Sequence, residues 1–268
     1  MIPFVKAHAC GNDFLVVEAK HLGAEKQRET AIRLCARNTG VGADGVEYLE
    51  WTGERSGRIR LFNADGSIAE ISGNGTRCVA AWMAHEKGLQ RGDVLTLETD
   101  AGPRECRIVL NEDGRYQIAS RMGVPEISRR GVDLNGTQIE GVAVSTGNPH
   151  FVIFVHDGTF TALNRSWQEI GHAICFHPDF PQQTNVEFVH ILNTNEIEIR
   201  IFERGVGPTA SSGTGTCASA VAAISQRGAA KHLLVRAPGG EQRVEWDGEG
   251  SEILLTGPAQ LIAQGEAF

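Results

Sequence analysis

Two stretches of this 268-residue chain repeat one local pattern, the second 140 positions after the first (Ser72 to Ser212). Ser72-Gly73-Asn74-Gly75-Thr76 leads into Arg77-Cys78-Val79-Ala80-Ala81, and Ser212-Gly213-Thr214-Gly215-Thr216 leads into Cys217-Ala218-Ser219-Ala220-Val221. Each reads as a glycine-rich turn opening into an apolar helix of small residues. A helix start presents unpaired backbone N–H groups and the positive end of a dipole, so it favours an anion. Two copies predict two similar halves whose helix ends face one ligand, an arrangement suited to a small carboxylate. The length accommodates this as two halves of about 130 residues each.

Composition narrows the function classes. Hydrophobic residues make up 41% and charged residues 22%, as in ordinary globular proteins. The formal charge is −8 with no run of Lys or Arg, which argues against nucleic acid and an anionic membrane surface as partners. No segment approaches the roughly 20 apolar residues of a membrane span. The start, Met1-Ile2-Pro3-Phe4-Val5-Lys6, lacks a secretory pattern, so a cytoplasmic location is expected. Cysteines 10, 35, 78, 106, 175 and 217 have neither a C-x-x-C nor a zinc spacing, and they read as buried thiols with no metal site.

Short alternating runs dominate the chain and predict strands. Examples are Arg58–Phe62, Val94–Glu98, Glu196–Ile201, Glu241–Trp246 and Glu252–Leu255, with turns at Asn111–Gly114 and Asp247–Gly250. Helices are expected at Glu25–Arg37, at Thr76–Lys87 ending on Gly88, and at Thr216–Arg227 ending on Gly228. A boundary near residue 118 leaves a single glycine-turn helix in each half.

Four further segments concentrate small polar groups: Gly11–Phe14, Asn63–Ser67, Gly147–His150, and Thr184–Glu187 together with Glu203–Gly205. Any single asparagine here is best read as a turn residue, because its side chain bonds local backbone. Asparagines 12, 63, 148 and 185, set beside two anion-favouring helix starts, suggest a site for an amino group, a carboxylate and a second polar end. His150 follows a proline that fixes the chain's approach and is a candidate acid/base. Arg204 is suited to clamp a carboxylate and Glu203 to exchange a proton, although an exposed pair of this kind is usually inert. There is no phosphate-binding G-x-x-x-x-G-K-[ST], no dinucleotide fingerprint and no G-x-S-x-G elbow.

In this order the segments resemble diaminopimelate epimerases, cofactor-independent amino-acid isomerases. The likeness runs nearly end to end. It includes Gly11–Phe14, Gly40–Gly45, Asn63–Ser67, Gly73–Gly75, Gly147–His150, Thr184–Val186, Glu203–Gly207, Gly213–Gly215 and Leu255–Ala259. The resemblance implies an α+β fold of two pseudo-symmetric β-barrel-like halves, each wrapped around a central helix. The halves would be residues 1–117, with 257–268 returning to them, and residues 118–256. By position, Asn12, Asn63, Asn148, Asn185 and Arg204 would bind substrate between the halves. Gly73, Asn74, Gly213 and Thr214 would give backbone N–H groups to its α-carboxylate, and His150 and Glu203 would assist proton transfer. No cofactor is implied; the partner would be a small amino acid, and a homodimer is common in that family.

One departure stands out. The family's two proton-transfer cysteines lie immediately before each Gly-x-Gly, where this chain has Ser72 and Ser212. A thiol with a pKa of roughly 8.5, lowered at a helix start, serves as acid or base. A hydroxyl is far weaker unless a neighbour activates it. Three readings remain open: an epimerase impaired by serines introduced at both positions, a same-fold lyase such as a hydroxyproline-type dehydratase, or a non-catalytic amino-acid or anion-binding relative.

Overall fold

A computed structural model describes all 268 residues, Met1–Phe268. In chain order its elements are β1 (Ile2–Ala9), β2 (Asn12–Glu18), α1 (Ala24–Cys35), β3 (Gly45–Trp51), β4 (Ser56–Asn63), β5 (Ile68–Ala69), α2 (Gly73–Lys87), β6 (Val94–Thr99), β7 (Gly102–Glu112) and β8 (Arg115–Arg121). There follow β9 (Glu126–Leu134), β10 (Thr137–Ser145), β11 (Pro149–Val155), α3 (Trp167–Cys175), β12 (Asn185–Asn193), β13 (Glu196–Glu203), β14 (Gly207–Thr209), α4 (Gly213–Arg227), β15 (His232–Ala237), β16 (Gly240–Glu245) and β17 (Leu254–Ala267). They form two compact units, Met1–Ser120 with Thr256–Phe268, and Arg121–Leu255.

In the first unit β1 and β2 form an antiparallel pair, and β2 runs parallel to β3 across the helix α1. β3 and β4 are antiparallel, and β4 runs parallel to β6 across α2. β7 and β8 continue the antiparallel order, and β17 pairs with both β8 and β1. The strands β1-β2-β3-β4-β6-β7-β8-β17 therefore close on themselves. Closure leaves no open edge, and the interior must be filled.

The filling is α2. Its Val79, Ala80, Ala81, Met83 and Ala84 are almost wholly buried against Leu95, Leu97, Ile108 and Ile118. The enclosed helix packs closest where its side chains are small, at Ala80, Ala81 and Ala84, and the strands supply most of the branched side chains. Each such branched side chain contributes roughly 1.5–3 kcal/mol on burial.

The second unit repeats the order. β10 and β11 are antiparallel, β11 runs parallel to β12 across α3, β12 and β13 are antiparallel, and β13 runs parallel to β15 across α4. β9 and β16 flank this order, on β10 and β15 respectively. Inside lies α4, with Cys217, Ala218, Ala220, Val221, Ala222 and Ala223 packed on Val142, Val152, Val189, Ile197, Ile199 and Ile201. The fold is thus α+β, two barrel-like halves each around a central helix.

Both central helices start three residues before the sequence periodicity suggests, at Gly73 and Gly213. The Gly-x-Gly segments are the first helical turns themselves, not turns leading into them. The reason is capping: Ser72 and Ser212 take extended backbone and accept the N–H of the third helical residue. Both helices end where expected, on Gly88 (φ 61°) and Gly228 (φ 69°), in the left-handed conformation that glycine adopts without a steric penalty. Other boundaries also move: α1 ends at Cys35, and the strand expected at Glu252 begins at Leu254. None of the six cysteines is bridged, and no helix is long and apolar enough to cross a membrane.

Candidate active site in two halves

The first half builds its polar cluster around the start of α2. Ser72 Oγ accepts the N–H of Gly75 at 3.1 Å. Asn12, at the start of β2, is held from both ends of its amide: its Nδ2 donates to Asp44 Oδ2 at 2.6 Å, and its Oδ1 accepts from Asn74 Nδ2 at 3.3 Å. Asn74 Oδ1 in turn accepts from the guanidinium of the fully buried Arg77. Arg77 Nε also donates to the carbonyl of Pro258 on β17, tying the helix start to the last strand. Asp44 and Asp13 share Arg37, at 2.7 and 2.9 Å, and Lys6 Nζ lies 3.0 Å from Asp13. Burial alone would raise the Asp13 carboxyl, but Arg37 and Lys6 hold it below the usual carboxylate range. Asn63 donates to Ser67 Oγ at 2.9 Å, a contact within its own turn.

The second half surrounds the start of α4. Ser212 Oγ accepts the N–H of Gly215 at 3.3 Å and lies 3.4 Å from Thr214 Oγ1. Asn148 Nδ2 donates to Thr214 Oγ1 at 3.3 Å, while Asn148 Oδ1 faces His150 Nε2 at 3.0 Å and accepts from Thr146 Oγ1 at 3.2 Å. The other imidazole nitrogen, Nδ1, lies 2.7 Å from Glu187 Oε1. Asn185 Oδ1 accepts the backbone N–H of Arg204 at 2.8 Å, so it shapes the turn after β13. Arg204 itself is exposed and donates to the carbonyl of Gln182 at 3.0 Å. Glu203 is pushed up to about 7 by burial, with Glu187 raising and His150 lowering it. A carboxyl near 7 is matched to proton exchange at neutral pH.

The structure therefore gathers Asn12, Ser72, Gly73 and Asn74 at one helix start. Asn148, His150, Ser212, Gly213 and Thr214 gather at the other. Gly73, Asn74, Gly213 and Thr214 are first-turn residues, whose N–H groups have no acceptor four residues earlier in the chain.

Two residues to which sequence reasoning gave no role complete the picture. Glu47 on β3 and Glu187 on β12 are buried carboxyls at matching places beneath the two helix starts. A Cβ on Gly75 would meet Glu47 Oε1 at 2.1 Å, and one on Gly215 would meet Glu187 Oε1 at 2.9 Å. A side chain at either glycine would have to displace the carboxyl of the glutamate beneath it. Burial raises both carboxyls, Glu47 to about 8. Neither Glu47 oxygen has a hydrogen-bond partner, nor does Glu187 Oε2. The available signal was an acidic residue inside an otherwise apolar run, Val46-Glu47-Tyr48-Leu49 and Val186-Glu187-Phe188-Val189. An alternating strand normally places such a residue towards solvent, and here it points inward. No group of three or more His, Cys, Asp or Glu side chains is arranged to hold a metal ion.

Comparison with known proteins follows the same lines. The family model described as diaminopimelate epimerase matches residues 4–128 and 142–262. A diaminopimelate epimerase of Moorella thermoacetica is 36% identical over 98% of both chains, and one of Pseudomonas savastanoi pv. phaseolicola is 37% identical over 99% of both. Among solved structures, a predicted epimerase from Pseudomonas aeruginosa superposes with a TM-score of 0.75 at 16% identity, covering 100% of this chain and 99% of that one. A hydroxyproline epimerase from Agrobacterium vitis, solved with trans-4-hydroxy-L-proline bound, gives 0.71 at 15% identity over 98% and 91%. At those identities the structural likeness speaks for the fold.

Proposed function

The chain belongs to the diaminopimelate epimerase family, and from that premise we propose that it epimerises a small amino acid at the α-carbon without a cofactor. The substrate we assign is diaminopimelate, a precursor of lysine and peptidoglycan. The observation that carries the reading is the matched pair of caps, each a serine hydroxyl at the start of a central helix above a buried glutamate.

Epimerisation removes the α-proton from one face and returns a proton to the other. We assign Ser72 and Ser212 to these two positions. As the α-carbon loses its proton, negative charge spreads onto the carboxylate. First-turn N–H groups of Gly73, Asn74, Gly213 and Thr214, fixed in advance by the helices, would stabilise that charge where it develops. Asn12, Asn63, Asn148, Asn185 and Arg204 would hold the remaining polar groups. Asn12 fits this best, since Asp44 and Asn74 already fix its amide. His150 and Glu203 would assist the transfers.

Turnover is expected to be low, because a hydroxyl yields and takes a proton less readily than a thiol at a helix start. The test is exchange of the α-hydrogen of diaminopimelate in deuterated water. Ser72→Cys combined with Ser212→Cys should raise exchange by about 100-fold or more, the usual scale of an effective acid/base. No gain in the double variant, with diaminopimelate still bound by calorimetry, would favour a binding protein. A keto acid or imine product from a hydroxylated amino acid would favour the lyase.

A further inference from the structure

The second half contains an unbroken hydrogen-bonded series that starts two side chains away from any proposed substrate contact. Glu187 Oε1 meets His150 Nδ1 at 2.7 Å, His150 Nε2 meets Asn148 Oδ1 at 3.0 Å, Asn148 Nδ2 meets Thr214 Oγ1 at 3.3 Å, and Thr214 Oγ1 meets Ser212 Oγ at 3.4 Å. β11 and β12 are parallel with His150 opposite Asn185, and the alternation of strand side chains puts Glu187 on the same inward face.

The direction of this series follows from counting protons. The side chains of His150 and Glu187 are both fully buried, so a net charge on the pair is costly. Two arrangements without net charge share the proton between Oε1 and Nδ1. Either the carboxyl keeps it and donates to Nδ1, with the ring hydrogen on Nε2, or it passes to Nδ1, giving a carboxylate–imidazolium pair with hydrogen on both ring nitrogens. A third, with the carboxyl proton on Oε2 and the ring hydrogen on Nδ1, would set a bare Nε2 against Asn148 Oδ1, two acceptors 3.0 Å apart, and that contact excludes it. In both remaining arrangements Nε2 is a donor, and Asn148 offers Oδ1 to the imidazole and Nδ2 to Thr214. Thr214, having accepted, gives its own hydrogen to Ser212. Ser212 Oγ already accepts from Gly215, so both its acceptor positions are filled and its proton is left for a ligand.

We propose that Glu187 is a positioning residue that, by holding the hydrogen of His150 on Nε2, orients the Asn148–Thr214 relay so that Ser212 presents its hydroxyl as a proton donor. Without Glu187, the imidazole can carry its hydrogen on Nδ1 with a bare Nε2. The Asn148 amide then turns over, Thr214 donates to Asn148, and the Ser212 hydroxyl is drawn inward. The contribution to catalysis rests on the assignment of Ser212 as a proton-transfer group; the orientation of the relay does not.

The test combines a ring-nitrogen measurement with kinetics. Nitrogen-15 NMR, with the His150 signals assigned by their loss in His150→Gln, should show hydrogen on Nε2 in the unaltered chain at neutral pH. Glu187→Leu should move a measurable fraction of that hydrogen to Nδ1. The same variant should lower kcat for α-hydrogen exchange roughly 10- to 100-fold, the scale seen when a residue that orients a functional histidine is lost, with KM held. Glu187→Gln, which keeps a donor facing Nδ1, should restore both. A bare Nε2 in the unaltered chain overturns the proposal, and this needs no variant to fold. So does a Glu187→Leu protein that loses kcat with its ring hydrogen still on Nε2. If diaminopimelate undergoes no exchange even in the double cysteine variant, the functional reading fails while the NMR result still decides the relay.

Discussion

Glu47 is the residue whose chemistry is least like its appearance in the sequence. Its carboxyl is buried against the first turn of α2 with no hydrogen-bond partner, and burial raises it from 4.5 to about 8. The folded protein therefore holds this proton more tightly than the unfolded chain does. Stability from that difference is fully present below about pH 4.5 and is lost as pH rises towards 8, at ~1.4 kcal/mol per unit. Over that window the loss is on the order of 5 kcal/mol. Glu47→Gln keeps the shape and removes the titration, so the difference between its denaturant-unfolding stability and that of the unaltered chain should grow with pH up to about 8. Parallel stability–pH curves would mean the carboxyl is not shielded. The asparagines and His150 can be picked out in the sequence because polar residues crowd at strand ends beside glycine-rich helix starts, whereas the two serines gain a role only through the family resemblance. Glu47 and Glu187 carry only a fainter signal, an acidic residue inside an apolar run, because nothing in a strand's alternation says which acidic residue faces inward.

At the scale of elements, the central helices are legible because their small-residue composition is unusual and their glycine caps are explicit. Their true starts are easily misplaced because Gly73 and Gly213 look like turn residues until the serine cap ahead of them is recognised. α3 escapes the periodicity altogether, although its marker is present. Ser166 accepts the N–H of Glu169 at 3.3 Å, and the Glu169 carboxylate accepts the Ser166 N–H at 2.9 Å, a reciprocal capping box. Nine residues are too few for a convincing helical period, so the cap has to be read first. Beyond that cap, α3 buries Ile170 and Ile174 in a cluster with Phe151, Phe188 and Phe202. Ser166→Ala should lower stability by about 1 kcal/mol, the usual cost of losing a serine cap. Amide exchange should speed up chiefly in the first turn of α3, because the buried residues lie beyond it. A loss above ~2 kcal/mol, the upper end for a lost cap, would mean that Ser166 also holds the preceding loop in place.

At the scale of the molecule, the chain's last residues complete the first barrel. β17 lies between β1 and β8, with Phe4 opposite Gly265 and His8 opposite Gln260, and Leu261 N–H donates to the Gly114 carbonyl at 3.0 Å. The strand also covers the core directly: Ala259 is buried among the residues around α2, and Pro258 accepts the hydrogen bond from Arg77. The end is tied down as well, since the Arg33 guanidinium on α1 donates to the Phe268 carbonyl. Deleting residues 256–268 therefore does more than shorten an edge. It opens the ring between β1 and β8, exposes two rows of backbone groups at once, and strips the buried Arg77 of its Pro258 carbonyl. Losing one hydrogen bond made by a charged group costs roughly 1.5–3 kcal/mol, and the lost strand pairing adds to that. The truncated chain should lose amide protection in β1 and β8 first, with the Asn12–Asn74–Arg77 cluster loosening alongside. Hydrogen exchange read by mass spectrometry checks this. Unchanged protection of β1 and β8 in the truncated chain would show that the barrel holds without its closing strand.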